Sequence, residues 1–157
     1  DLAATSRRHP DSDVLSHQTL ARRRLRDGFA WLARRFLDDA LYDYQCGATA
    51  LTTDAWRAVR SHLYEPRSAC DIELIAVASA LEYAVAEVPV RWEDHPESTV
   101  STVDTTLRLA RALVTSRHRA RLLRDHRFHR LLASRRRPEQ SLLDRLTATD
   151  TADPEAD

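Results

Sequence analysis

The sequence predicts an α/β layer fold, because short apolar strand-like segments alternate with longer amphipathic ones. Leu2–Ser6 is apolar and strand-sized. Ala84–Trp92 sets Val88, Val90 and Trp92 on one face, and its Pro89 suits an edge or bulged strand. Between and after them, apolar residues recur at helical spacing. A chain of 157 residues, 43% of them hydrophobic, is long enough for one domain with its own core.

In chain order, Arg7–Asp13 is a polar loop containing Pro10. From about His17 to Leu41, Leu25, Phe29, Leu32 and Phe36 form an apolar stripe, with Arg22, Arg23, Arg26 and Arg34 on the other faces, which predicts a long amphipathic helix. Tyr42–Thr52 alternates around Gly47, after which Thr53-Asp54 caps a short helix through about Leu63. Pro66 closes that unit. Asp71–Tyr83 carries apolar side chains at 72, 74, 75, 78 and 81, as expected of a helix lying on a sheet. The stretch from about Thr102 to Leu132 reads as a second long helix, dense in arginine. Residues 135–157 read as a polar tail without structure, which sets the domain at residues 1–134.

Composition removes several function classes. The 24 basic side chains, all arginine, are matched by 24 acidic ones, so net charge gives no footprint for nucleic acid. Cys46 and Cys70 are too few for a thiolate metal site and are expected as free buried thiols. His118, His126 and His129 share a basic segment, but only the last two sit close on one helical face, so a solvated face is expected rather than a metal site. The most apolar stretch, Leu74–Val90, is interrupted by Glu82 and Glu87 and falls short of the roughly 20 apolar residues that span a bilayer. The chain begins at Asp1 and holds no Met, which reads as a fragment of a longer chain.

Four ordered motifs carry a family resemblance. Asp43-Tyr44-Gln45-Cys46-Gly47, followed by Ala48-Thr49-Ala50-Leu51, is similar to the Asp-Thr-Gln-Cys-Gly-Phe-Lys-Leu-Phe motif of the dolichyl-phosphate glucosyltransferase-like family 2 glycosyltransferases. Asp71-Ile72-Glu73-Leu74 resembles that family's Phe-Asp-x-Glu-Leu helix start, and Ala86–Trp92 the strand after it. Thr5-Ser6-Arg7-Arg8 resembles its Gly-Ser-Arg loop, and Arg22 falls at an arginine of the following helix. The match covers roughly residues 2–115. Thr5 stands where the family has Gly, Arg26 where it has a small residue, Ala48-Thr49 where it has Phe-Lys, and Ser68 and Cys70 where it has aromatics.

The resemblance implies the C-terminal, acceptor-side portion of a glycosyltransferase-A-type (nucleotide-diphospho-sugar transferase) fold, with a mixed sheet and long amphipathic helices. It implies sugar transfer from a nucleotide-sugar to a polyprenyl or dolichyl phosphate, with the nucleotide- and metal-binding half missing from this chain. Arg7, Arg8 and Arg22 are then expected on the acceptor phosphate, because a guanidinium offers paired donors to its oxygens. Asp43, Gln45, Gly47 and Glu73 are expected to line the sugar and acceptor cleft. Asp71 is expected to position rather than to act as a base, since a phosphate acceptor is already anionic; capping its helix is an equal expectation. Mg²⁺ or Mn²⁺ belongs to the complete family enzyme, and no metal ligand is expected in this chain. The lipid acceptor places such a protein in the cytoplasm, peripheral at the membrane face. The alternative is a non-enzymatic arginine-rich module that binds anionic lipid or nucleic acid through the basic stretch Arg117–Arg137.

Overall fold

A computed structural model describes residues 1–15, 20–45, 47–66, 69–93, 102–125 and 140–150, except the side chains of residues 20–23, 26, 102–106, 149 and 150. Its strands are β1 (Leu2–Ser6), β2 (Asp13–Leu15), β3 (Thr49–Leu51), β4 (Val85–Pro89) and β5 (Arg91–Glu93). Its helices are α1 (Leu20–Phe36), α2 (Thr53–Val59), α3 (Cys70–Ala80), α4 (Thr102–Leu123) and α5 (Leu142–Asp150), with a 3₁₀ turn at Arg60–His62.

β1 is the central strand of a mixed three-stranded sheet of order β3-β1-β4. It runs antiparallel to β3, with Leu2 opposite Leu51 and Ala4 opposite Thr49, and parallel to β4, with Leu2 opposite Val85 and Ala4 opposite Glu87. Alternation sends Leu2, Ala4 and Ser6 into the core, while Ala50, Ala86 and Val88 stay exposed on the other face. The fold class is α/β, as the alternation of elements predicts.

Ala84–Trp92 is two strands rather than one. Pro89, the last residue of β4, has no N–H, which an edge strand tolerates. Val90 lies between the two strands, its N–H donating to the Ser6 carbonyl (3.3 Å) and to Ser12 Oγ (3.2 Å). β5 then pairs in parallel with β2, Val14 opposite Trp92, in a separate two-stranded sheet. β2 is only three residues long and begins at Asp13, the last residue of the segment that reads as loop.

α3 is the centre of the core. Ile72–Ala78 are all buried and all apolar except Glu73, as suits a helix enclosed between the sheet and α4. α1 presents Phe29, Ala30, Leu32, Ala33 and Phe36 to that core, while Leu25 at its other end is exposed. It stops at Phe36, earlier than the apolar pattern to Leu41 implies. Arg117 of α4 donates Nη1 to the freed carbonyl of Phe36 at 2.8 Å, capping the helix from a neighbour. α2 begins one residue earlier than expected, with Thr52 Oγ1 accepting the Ala55 N–H at 3.3 Å.

Two expectations are corrected toward the C-terminus. α4 ends at Leu123, and Asp125 takes a left-handed φ of 58°, a conformation that Asp tolerates better than most residues and that stops a helix. Residues 126–139, including His126, His129 and the remaining basic stretch, lie outside the described residues. Within the span 135–157 read as an unstructured tail, Leu142–Asp150 is helical. Ser141 Oγ accepts the Asp144 N–H and the Asp144 carboxylate accepts the Ser141 N–H, both at 3.2 Å, a reciprocal capping box. The Leu142 N–H donates to the Leu63 carbonyl at 2.7 Å and Arg145 to the Tyr64 carbonyl, which fastens this helix beside the 3₁₀ turn.

Candidate functional site

Some of the polar residues singled out by the sequence meet at the carboxyl ends of the parallel strands β1 and β4, the edge at which open α/β sheets present ligands. Arg7 follows β1 directly. Its Nε donates to Asp43 Oδ2 at 2.9 Å and its Nη2 to Oδ1 at 3.3 Å, a two-point match of guanidinium to carboxylate. Nη2 also donates to the Gln45 carbonyl at 2.7 Å, and the guanidinium lies 5.6 Å from the ring centre of Trp92.

Asp43 is 5% exposed and is held from several directions. Its carboxylate accepts the backbone N–H of Arg7 (3.3 Å) and of Gln45 (3.0 Å) in addition to the guanidinium. Next to it, Tyr44 is buried, its hydroxyl donating to the Asp39 carbonyl at 2.6 Å and accepting the Leu41 N–H at 3.0 Å. Burial pushes that phenol up to about 12. Gly47 has φ +84°, so the turn out of this segment uses the left-handed conformation that glycine adopts without strain. Gln45 contributes through its backbone, and Cys46 lies outside the described residues.

Asp71 opens the first turn of α3 and faces the same locality. Burial first, and then the negative charge of Asp43, raise its carboxyl above the ordinary carboxylate range, while Arg7 opposes them. The sign of the stability effect follows. A raised pKa favours the protonated form in the fold, so Asp71 stabilises below its ordinary pKa, and that contribution is lost as pH rises through the folded value. Asp71→Asn is therefore expected to melt a few degrees above the unaltered chain at pH 7 and to converge with it in acid. Melting curves from pH 3.5 to 8 check this; a gap that does not depend on pH would rule it out.

Other sequence-selected residues sit elsewhere. Arg8 turns to α1 and pairs with Asp27 at 2.6 Å. Arg22 lies in the first turn of α1, and its side chain is outside the described residues. Glu73 does not line the cleft: its side chain is 0% exposed. One oxygen accepts the Tyr64 and Glu65 N–H groups at 2.6 and 2.7 Å, and the other accepts Nη1 of Arg119. Two positions from Asp71 on a helix cannot share its face, which is the physical reason for the correction. Cys70 is a half-buried free thiol whose pKa is raised by burial.

Sequence reasoning passed over two residues of this locality. Trp92 covers Arg7. Glu87 accepts backbone N–H groups of Tyr42 and Asp43. The signal for Glu87 was present, since strand alternation puts a carboxylate on the face of β4 shared with Val85, where an apolar residue belongs.

A divalent ion needs several oxygen ligands. Both Asp43 oxygens and both Glu87 oxygens already accept hydrogen bonds, and Asp71 adds a single carboxylate. Among the described residues, no group of three or more His, Cys, Asp or Glu side chains could hold a metal ion. The described residues do not fit Mg²⁺ or Mn²⁺.

Comparison with known proteins gives a consistent direction. A dolichyl-phosphate beta-glucosyltransferase of Drosophila melanogaster is 30% identical over 112 residues, 71% of this chain and 34% of the relative. The chain resembles dolichyl-phosphate glucosyltransferase-like family 2 glycosyltransferases. The enzyme of the same name from Dictyostelium discoideum is 29% identical over 119 residues, 75% of this glycosyltransferase-like chain and 36% of the relative. Glycosyltransferase AglD of Haloferax volcanii is 35% identical over 72 residues, 46% of this chain and 12% of its own length. The chain thus spans about a third of the dolichyl-phosphate relatives it matches. No protein-family model matches it, and no solved structure does.

Proposed function

We propose that the chain is the acceptor-side part of a family 2 glycosyltransferase with the glycosyltransferase-A-type fold, one that moves a sugar from a nucleotide-sugar to a polyprenyl or dolichyl phosphate. The observation that supports this reading is the two-point contact of Arg7 with Asp43 at the carboxyl end of the parallel strands, with Asp71 near enough to feel both charges, on three of the four motifs of the resemblance. Arg7 supplies the cation. Asp43 fixes the plane of its fork, and the Trp92 ring lies against the guanidinium. A phosphate monoester held there needs no strong base to act as a nucleophile, so Asp71 serves by position and charge. Arg22 completes the phosphate site in this reading. The nucleotide-sugar and its Mg²⁺ or Mn²⁺ fall to residues outside this chain, and the lipid-borne acceptor places the protein peripherally at the cytoplasmic membrane face.

The module alternative loses ground on one observation. The described arginines of its basic stretch serve the fold: Arg117 caps α1, while Arg121 and Arg124 hold Asp38, with Arg124 also on the Ser79 carbonyl at 2.7 Å. Calorimetric titration tests the proposal. A short, water-soluble prenyl monophosphate is expected to bind the chain, and the matching prenyl alcohol is not. Equal binding of the two, or none of the phosphate, would sink it.

A further inference from the structure

Glu87 has no part in the roles given so far, yet its carboxylate is spent entirely on the segment that carries Asp43. It projects from β4 on the face of Val85, opposite Ala4 of β1. Oε1 accepts the Tyr42 N–H at 2.9 Å and the Asp43 N–H at 2.8 Å, and Oε2 accepts the Tyr42 N–H at 2.9 Å. Two successive backbone donors converge on one anion.

The segment they belong to has no ladder of its own. Between the end of α1 at Phe36 and the start of β3 at Thr49, the described residues form neither helix nor strand. Main-chain bonds hold its two ends, Leu37 to Ala33 and Thr5 to Ala48, and side chains hold the part around Tyr42 and Asp43. Tyr44 ties its own hydroxyl to Asp39 and Leu41, which fixes the early part of the segment upon itself. Glu87 fixes the backbone of Tyr42 and Asp43 to β4. Asp43 is gripped at both ends, by Glu87 on its N–H and by the Arg7 N–H and guanidinium on its carboxylate. Remove the first grip and the part-buried Asp43 N–H and the exposed Tyr42 N–H lose the acceptor that ties them to β4, which frees the backbone to shift. The carboxylate would move with it, and so would the guanidinium fork it orients.

We propose that Glu87 is a positioning residue of the acceptor-phosphate site, acting through Asp43 on Arg7; this rests on the proposed acceptor function. Its negative charge does not oppose an incoming phosphate as a bare carboxylate would, because the backbone N–H dipoles offset it. The oxygens are what matter. Glutamine, which keeps an acceptor oxygen at the same reach, should substitute where alanine does not.

The test uses the whole 157-residue chain and a short prenyl monophosphate as probe. Glu87→Ala is expected to weaken binding roughly tenfold and Glu87→Gln by less than about threefold. Asp43→Asn should weaken it too, and the double variant Glu87→Ala/Asp43→Asn should bind no more weakly than Asp43→Asn alone, because the two residues act in series. Independent, multiplying losses would overturn the proposal, as would unaltered binding by Glu87→Ala. If the alanine variant does not fold, Glu87→Asp replaces it, since it withdraws the oxygens by one methylene. The Nε–H resonance of Arg7 gives a second reading that needs no ligand. It should move in Glu87→Ala and return in Glu87→Gln, and a resonance indifferent to both would overturn the positioning role. Failure of the unaltered chain to bind the probe, with that resonance moving as expected, would instead condemn the acceptor function while leaving the mechanical link between Glu87 and Arg7 in place.

Discussion

Glu73→Ala is expected to cost about 3–5 kcal/mol of folding free energy, the range for removing one partner of a buried ion pair. The side chain of Glu73 is fully buried and that of Arg119 is 16% exposed, so water replaces little of what the substitution removes. Three donors lose their acceptor together: the N–H groups of Tyr64 and Glu65 and a guanidinium nitrogen of Arg119. Arg119 keeps Glu65 at 3.4 Å and its stacking over Tyr64, with the ring centre 4.4 Å away, which is partial compensation. The damage should spread along one path, because the Tyr64 carbonyl accepts Arg145 of α5 and Leu63 accepts Leu142. Urea unfolding measures it. Glu73→Gln, which keeps an acceptor oxygen, should lose less, and a loss below about 1 kcal/mol for the alanine variant would mean that these donors find other partners.

Arg7→Ala is expected to weaken binding of a prenyl monophosphate by about ten- to a hundredfold, since charge-assisted contacts are worth roughly 1.5–3 kcal/mol. Arg7→Lys separates charge from geometry. Lysine restores a positive charge but cannot make the two-point contact with Asp43 that Nε and Nη2 make, so most of the loss should remain. Arg57, exposed and paired only loosely with Asp54 at 3.5 Å, is the control, and Arg57→Ala should bind as the unaltered chain does. Calorimetry at two salt concentrations reads all three. Equal, salt-sensitive losses for Arg7→Ala and Arg57→Ala would point to general charge attraction instead of a built site.

How much of this was legible in the sequence depended on the range of the interaction. β1 and α3 were readable because period and length are local properties, and Pro89 marked β4 as an edge strand because a missing N–H has the same meaning in any fold. The pairing of β2 with β5 was not readable, since three residues carry too little pattern and their partner lies some 78 positions away. At the site, the motifs drew attention to Arg7, Asp43 and Asp71, which the fold brings together. Glu73 was misjudged because motif membership says nothing of which way a helical residue faces. Arg119, its partner, lay inside a run of arginines that differ only in what each one meets across the helix interface. The capping box at Ser141 was written in the sequence as Ser-x-x-Asp, and the polar composition around it masked the signal.

The strand order β3-β1-β4 also determines how this sheet can meet another chain. Its antiparallel margin is three residues long, room for little more than one pair of main-chain contacts. Its parallel margin ends in Pro89, which offers a newcomer a carbonyl and no N–H. Lateral growth of the sheet, the usual route from an exposed margin to fibrils, is hindered by brevity on one side and by the lost donor of Pro89 on the other. The broad surface of Ala50, Ala86 and Val88 carries no such guard, so copies of this chain that adhere would do so by stacking rather than by zipping.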